Sequence, residues 1–345
     1  MHISDFDYEL PTELIAQHPL ERRAEARMLV VNRKEQTWFD SHFVDLPAHL
    51  EAGDLLVINN TRVFRARLLG ERESTGGRVE ILLIRELDPA HWQALIRTGQ
   101  RLKRGARLVF GDGTLRAEVL DDPGNESREL RFECEGAFED LLENLGQVPL
   151  PPYIKRPPGG CAEDSARYQT VFARERGAIA APTAGLHFTP AVLETLRSRA
   201  ADIAEITLHV GYGTFAPVRV ENVEEHKVGA EYVQISDRAA QSINETRSRG
   251  KRIFATGTTT TRALESAASA EGTVCAQQTA ATLTIIPGYQ FKVVDALITN
   301  FHLPRSSLLL LVCAFAGRDL ILNAYRHAIG AGYRFYSYGD CMLII

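Results

Sequence analysis

The chain has 345 residues, a net charge of −5, 45% hydrophobic and 24% charged residues. That composition excludes a disordered or collagen-like chain, and the length allows one large domain or two, each able to bury a core without disulfide or metal staples. The negative balance argues against a non-specific nucleic-acid coat and says nothing about a local basic patch.

In chain order, the first element is Asp54-Leu55-Leu56-Val57-Ile58, whose continuous apolar character predicts a strand buried on both faces. From about Val63 to about Gly146 short strands follow, at 78–84, 92–96, 106–110 and 115–119, punctuated by Gly76-Gly77 and Gly111-Asp112-Gly113. Their spacing predicts a small antiparallel barrel or sandwich. The prolines of residues 148–160 forbid helix and mark a boundary. Strands and helices then alternate. A strand at 178–181 leads to a helix with Thr189 as N-cap and Pro190 at its first position, and a strand follows at 206–210. A helix capped by Ser236 runs to about Gly250, the strand 252–255 follows, and a further helix begins among Thr258 to Thr261. This predicts an α/β fold: a mainly parallel sheet with helices on both faces, formed by residues 1–62 and 149–345 and interrupted by an inserted antiparallel β-barrel domain, 63–148.

Several turns carry side chains suited to chemistry. Ala181-Pro182-Thr183-Ala184-Gly185-Leu186-His187-Phe188-Thr189 lies between a strand and a capped helix, where open parallel sheets bind ligands. Its Thr183 hydroxyl, the Gly185 backbone and the His187 imidazole suit a carboxylate or proton transfer, and the plainer alternative is a tight turn with His187 bonded to backbone. His209 ends a second strand, and His302, in Thr299-Asn300-Phe301-His302-Leu303-Pro304, ends a third before a helix opened by Pro304. Three histidines at carboxyl ends of strands converge on one rim of the sheet. Gly211-Tyr212-Gly213-Thr214-Phe215-Ala216 has the G-x-G-x-x-A form of a dinucleotide loop, but Pro217 and the β-branched residues after it do not open a helix. Gly257-Thr258-Thr259-Thr260-Thr261-Arg262 opens a helix after a strand and suits an anion or a ribose, with redundant capping as the alternative. Arg62, after the buried strand, is placed to clamp a carboxylate or phosphate, or to form a hinge salt bridge. Basic runs include Arg101, Lys103 and Arg104 in the barrel region, and Lys155-Arg156 in the linker. Such runs are usually solvated faces, although small barrels are common nucleic-acid platforms.

The five cysteines, Cys134, Cys161, Cys275, Cys313 and Cys341, are far apart and form no Cys-x-x-Cys, and no His-Glu-x-x-His occurs. A disulfide framework, an iron–sulfur cluster and structural zinc are therefore not expected. The N-terminus lacks a signal-peptide pattern and the longest apolar run, Leu308 to Gly317, is too short to span a bilayer, so the expectation is a cytoplasmic protein without a membrane partner.

These segments, taken together, resemble the S-adenosylmethionine:tRNA ribosyltransferase-isomerase family of queuosine biosynthesis. The resemblance runs nearly end to end, from Asp5-Phe6-Asp7-Tyr8-Glu9-Leu10-Pro11 through Pro149-Leu150-Pro151-Pro152-Tyr153-Ile154 and the 180–188 segment to Val294 through Pro304 and Tyr333 through Asp340. It implies an α/β domain carrying an inserted barrel. It also implies transfer of the ribosyl part of S-adenosylmethionine to the 7-aminomethyl group of a deazaguanine at the tRNA wobble position. Rearrangement to an epoxycyclopentane then gives epoxyqueuosine, adenine and methionine. S-adenosylmethionine is then a consumed substrate, and no cofactor is expected. A sulfonium acidifies the adjacent ribose carbon and is itself a leaving group, so the chemistry asks for a base and for an acid at the departing adenine. Under this reading His187, His209 and His302 are the catalytic candidates, with Asp295 or Asp340 orienting them or serving as base. Arg62, Thr183, Gly185, Gly213, Thr258, Arg262 and Asn300 are candidates for binding the substrate, and Tyr212 and Tyr338 for shielding the sulfonium. Arg101, Lys103, Arg104, Lys155 and Arg156 are candidates for the tRNA. Two positions depart from the family pattern: Asn60 stands where an aspartate is usual, and Gly229 where a histidine is usual in His-x-Met-His-x-Glu. The competing expectations are a tRNA-binding protein that has lost catalysis and a nucleosidase that splits adenine from S-adenosylmethionine.

Overall fold

A computed structural model describes residues 1–122, 126–157, 160–215 and 218–345, without the side chains of Thr214 and Phe215. Among these residues the chain forms two compact units, Met1–Arg62 with Pro152–Lys155 and Arg167–Ile345, and Val63–Pro151 with Arg156–Ala166. The second unit thus holds 149–151 and 156–166, which the sequence boundary at 148 had placed with the α/β domain. A proline-rich run shows where the path becomes extended. It does not show on which unit those residues pack.

The strands of the first half are β1 (Arg27–Asn32), β2 (Thr37–His42), β3 (Leu55–Asn59), β4 (Thr61–Val63), β5 (Arg67–Arg72), β6 (Arg78–Asp88), β7 (His91–Thr98), β8 (Arg107–Phe110), β9 (Leu115–Val119) and β10 (Arg128–Cys134). Then come α1 (Phe138–Leu145), α2 (Asp164–Arg167), β11 (Glu175–Ala178), α3 (Pro190–Ser198), β12 (Asp202–Leu208), β13 (Glu231–Ile235) and α4 (Asp237–Ser248). The last elements are β14 (Ile253–Thr256), α5 (Gly257–Ala267), β15 (Gln277–Ala281), β16 (Ala296–Asn300), α6 (Ser307–Ala316), α7 (Arg318–Gly330) and β17 (Cys341–Ile344).

In the first unit nine strands form one sheet in the order β15-β13-β12-β3-β14-β16-β17-β1-β2. Its centre, β12-β3-β14-β16, is parallel. β1 is also parallel to β17, but the edges are antiparallel, so the sheet is mixed to a degree the sequence alternation did not suggest. β3 is buried at every position, as its unbroken apolar run requires. Leu56, Ile58, Met28, Val30, Ile298 and Leu343 pack on one face with Phe43, Leu46, Phe188, Val192 and Leu196 of the elements above it. The alternate residues Leu55, Val57, Leu29, Val31, Leu297 and Ile344 are buried as well, so helices cover both faces. The caps act as expected: Thr189 Oγ1 accepts the Val192 N–H at 3.3 Å, and Ser236 Oγ the Ala239 N–H at 3.2 Å.

Two local expectations change. Residues 179–181 are buried without being a strand; β11 stops at Ala178 and belongs to a separate two-stranded sheet with β4. Pro304 does not open a helix, because α6 begins at Ser307 under the Ser306 cap, whose Oγ accepts the Leu309 N–H at 3.3 Å. The apolar run at 308–317 is this helix, buried at most of its positions, and among the described residues no single helix is long and apolar enough to cross a membrane.

In the second unit β10-β7-β6-β5-β8-β9 close into a six-stranded antiparallel barrel. Alternation along its strands buries Val79, Ile81, Leu83, Ala94, Leu108, Phe110, Ala117, Leu130 and Phe132. Two of its strands, β5 and β10, carry charge at nearly every second position and were not anticipated from the sequence.

Candidate active site

Because β12, β3, β14 and β16 are parallel, their carboxyl ends at Leu208, Asn59, Thr256 and Asn300 lie on one edge of the sheet. β17 runs antiparallel to β16 with Cys341 opposite Asn300, which brings Asp340 to the same edge. The loop from Tyr333 to Asp340 and the 3-10 turn Thr183–His187 meet there.

Asn300 organises this edge. Its Nδ2 donates to Tyr336 O at 3.0 Å and lies 3.3 Å from His187 Nε2. A carbonyl can only accept, so the amide nitrogen is identified by its bond to Tyr336, and its second hydrogen points at His187. His187 Nε2 is therefore the acceptor, and the proton of the neutral ring sits on Nδ1. Asn300 Oδ1 is buried and has no hydrogen-bond partner among the described residues. An orphaned acceptor of this kind is costly unless a ligand supplies the donor. Burial, with the charges of Arg23 and Arg334, pushes the His187 pKa down to about 4. His302 is 8% exposed, its Nε2 lies 2.6 Å from Thr299 Oγ1, and burial alone pushes its pKa down to about 3. Both rings are therefore neutral at pH 7, with a proton affinity below that of a free imidazole.

Two clefts flank the Asn300–His187 contact. One of about 370 Å³ is lined by Tyr153, Thr183, Asn300, His302, Ser306 and Tyr336, with other residues. The other, of about 310 Å³, is lined by Arg23, Arg167, Leu186, His187 and Tyr338. They share Ser337, whose Oγ lies 2.7 Å from the Tyr153 hydroxyl. Thr183, Asn300, His187, His302 and Tyr338 are thus brought together as expected. Gly185 is there for packing, since a Cβ at that position would stand 2.8 Å from Thr170 Cγ2.

The third histidine stands apart. His209 follows β12, three strands from β16, which is about 14 Å along the edge at the usual strand spacing. Its Nδ1 lies 2.8 Å from Thr61 Oγ1, its ring stacks on Tyr232 at 5.0 Å, and burial lowers its pKa despite Glu175. A Cβ on Gly177 would come within 2.5 Å of His209 Nε2, so glycine there is what lets the chain cross the imidazole. His209 cannot share a proton with His187, although an extended substrate can reach both.

Other candidates are committed elsewhere. Asp295 precedes β16, so it lies at the opposite edge, where its Oδ2 accepts the Ile253 N–H at 2.9 Å. It is a latch between β14 and β16, not a base. Asp340 is 2% exposed and accepts the N–H groups of Arg27 at 3.0 Å and Arg334 at 2.8 Å. Burial raises its pKa against those bonds, and its work is to hold the 334–340 loop. Arg262 Nη1 donates to Glu231 Oε2 at 2.8 Å in a buried ion pair, so it clamps the protein and not a substrate. Thr258 is buried in the first turn of α5. Arg62 is exposed on β4, and Tyr212 and Gly213 are exposed on the 3-10 turn Tyr212–Phe215. That turn replaces the helix a dinucleotide loop needs; Ala216 and Pro217 lie outside the described residues. In the second unit, Arg101, Lys103 and Arg104 are exposed between β7 and β8. Lys155 is exposed on the first unit. Arg156 is buried against Asp164, with Nε 2.7 Å from Oδ2 and Nη2 2.9 Å from Oδ1, which withdraws it from any nucleic-acid surface.

The departure at Asn60 has a local explanation. Its Nδ2 donates to Glu205 Oε2 at 3.1 Å and its Oδ1 accepts the Thr207 hydroxyl at 2.7 Å. A carboxylate at 60 would face Glu205, so the amide suits its neighbour. At Gly229, a Cβ would meet open space, and only the backbone carbonyl is used, by Arg262 Nη2 at 3.3 Å. Arg23, Arg167, Tyr153, Tyr336 and Ser337 were not anticipated. Arg23 sits in Glu21-Arg22-Arg23-Ala24-Glu25, which reads as a solvated charge run.

The profile of the family described as queuosine biosynthesis protein matches residues 3–344. An S-adenosylmethionine:tRNA ribosyltransferase-isomerase of Desulfitobacterium hafniense is 50% identical over 345 residues, covering all of both chains. One of Moorella thermoacetica is 52% identical over 347 residues, again covering all of both. A crystal structure of S-adenosylmethionine tRNA ribosyltransferase from Thermotoga maritima has 38% sequence identity and a TM-score of 0.55, covering 99% of this chain and 100% of that one. This chain belongs to the queuosine biosynthesis protein family.

Proposed function

We propose that this protein moves the ribosyl part of S-adenosylmethionine onto 7-aminomethyl-7-deazaguanine at the tRNA wobble position and isomerises it, giving epoxyqueuosine in the tRNA, adenine and methionine. The observation that carries the reading is the pair of clefts on either side of a neutral His187 whose tautomer Asn300 sets. The sulfonium acidifies the ribose carbon beside it, and His187 Nε2 accepts the proton released there or from the attacking amine once its hydrogen bond from Asn300 is released. Asn300 Oδ1 accepts from an amine or a ribose hydroxyl, and Thr183 and Ser306 add hydroxyls on the same cleft. S-adenosylmethionine is consumed and supplies both the leaving group and the acidified carbon, so the reaction asks for no further cofactor. The tRNA is met by Arg101, Lys103 and Arg104, on a loop that is exposed at all three. We place the reaction in the cytoplasm, with tRNA.

The test is incubation with S-adenosylmethionine and tRNA bearing the aminomethyl deazaguanine, followed by measurement of free adenine and of the mass of the modified nucleoside. Adenine together with the epoxyqueuosine mass is expected. Adenine released without tRNA would make the protein a nucleosidase, and tRNA binding without either product would make it a binding protein.

A further inference from the structure

The 310 Å³ cleft is lined by basic side chains. Arg23, Arg167 and His187 line it with Leu20, Leu186 and Tyr338, and no carboxylate is among its lining residues. Burial lowers the proton affinity of Arg23, and the nearby charge of Arg167 lowers it further. Both are fixed from behind by backbone carbonyls. Arg23 Nη1 donates to Gln169 O at 2.6 Å, Arg167 Nη1 to Glu21 O at 3.2 Å, and Arg167 Nη2 to Leu20 O. A third guanidinium acts on the same histidine: Arg334 has a buried Nη1 with no partner among the described residues. Like charges held close together repel, and an anion between them relieves that repulsion. Guanidinium forks also match a carboxylate in both spacing and plane.

We propose that this cleft holds the carboxylate of the methionyl end of S-adenosylmethionine, with Arg23 and Arg167 as its partners. The inference rests on the function proposed above. The cleft is small and ends on a histidine that is 5% exposed. That suits a terminal group, whereas a phosphodiester continues in both directions and needs an open groove. The cleft adjoins the one containing Asn300 and His302 at Ser337, so the rest of the ligand passes His187 on its way there.

The experiment compares S-adenosylmethionine with its decarboxylated analogue, both as ligands by calorimetry and as substrates by adenine release in the presence of the tRNA. The wild-type protein is expected to favour the carboxylated compound by about 10-fold or more, as a charged hydrogen-bond pair provides. In Arg23→Gln that preference falls several-fold, and in Arg23→Lys, which keeps the charge and loses the fork, part of it returns. The wild-type comparison needs no variant, so a variant that fails to fold does not remove the test. Adenine release with equal constants for the two compounds overturns the assignment and leaves the function standing. Preferential binding of the carboxylated compound without adenine release keeps the cleft and overturns the function. An unchanged preference in a folded Arg23→Gln, with tRNA binding less sensitive to salt, overturns the assignment in favour of a phosphate.

Discussion

His187 and His302 show how far burial moves a side chain from its reputation. In water an imidazole titrates near 6.5; here the pKa values lie at about 4 and about 3. The unfolded chain therefore binds protons that the fold refuses. Stability is complete above pH 6.5 and is lost as the pH falls toward those values, at about 1.4 kcal/mol per pH unit for each titrating group. Urea unfolding at pH 7, 6 and 5 should show this fall, and His302→Gln should make it shallower; a flat profile would contradict the burial argument. Under the proposed function, His187 therefore enters the reaction uncharged. His187→Ala should lower kcat by about 10²- to 10⁴-fold while tRNA retention on a gel is unchanged, and undiminished turnover would remove His187 from the site. The residue types at the site were legible, because His187 lies just before a capped helix and Asn300 at the end of an apolar strand. Their protonation and tautomer were not, since these depend on Arg23 and on Tyr336, distant in sequence.

At the scale of elements, α5 explains why a helix rich in threonine is stable and where its arginine is spent. It starts directly after β14, with Gly257 at φ +91°, a backbone setting that favours glycine. Thr260 and Thr261 return their hydroxyls to Thr256 O at 2.6 Å and Gly257 O at 3.1 Å. Arg262 ties the helix to Glu231 of β13 and, at 3.4 Å, to Ala281 O of β15. Arg262→Gln leaves Glu231 buried without its cation, so it should cost about 3–5 kcal/mol of unfolding free energy. The decisive result is a lowered urea midpoint with the KM for S-adenosylmethionine preserved in the folded fraction; a raised KM with unchanged stability would return Arg262 to the substrate. The sequence placed this helix start among Thr258 to Thr261, just past its first residue Gly257, and a cationic side chain in a turn of polar residues reads the same whether it faces a ligand or a carboxylate of its own protein.

For the whole molecule, a charge of −5 coexists with an exposed basic loop at Arg101, Lys103 and Arg104. Replacing Lys103 and Arg104 by alanine should weaken tRNA binding and reduce the slope of log affinity against log salt by about 1 for each lost phosphate contact; an unaltered slope would remove the loop from the interface. Features set within a few residues could be read directly from the chain: the buried β3, the caps at Thr189 and Ser236, the glycine turns of the barrel, and the motifs that identify the family. These depend on hydrophobic period, backbone freedom and neighbouring donors, which the local chain already contains. Which polar groups meet depends on how the elements pack. That packing sent Asp295 to the far edge of the sheet and closed Arg262 and Arg156 into ion pairs. It also separated His209 from His187 and His302 and set Arg23 beside Arg167. Those outcomes follow from strand order and from contacts between distant parts of the chain, such as Arg23 with Gln169, 146 positions apart, and no local rule carries that information.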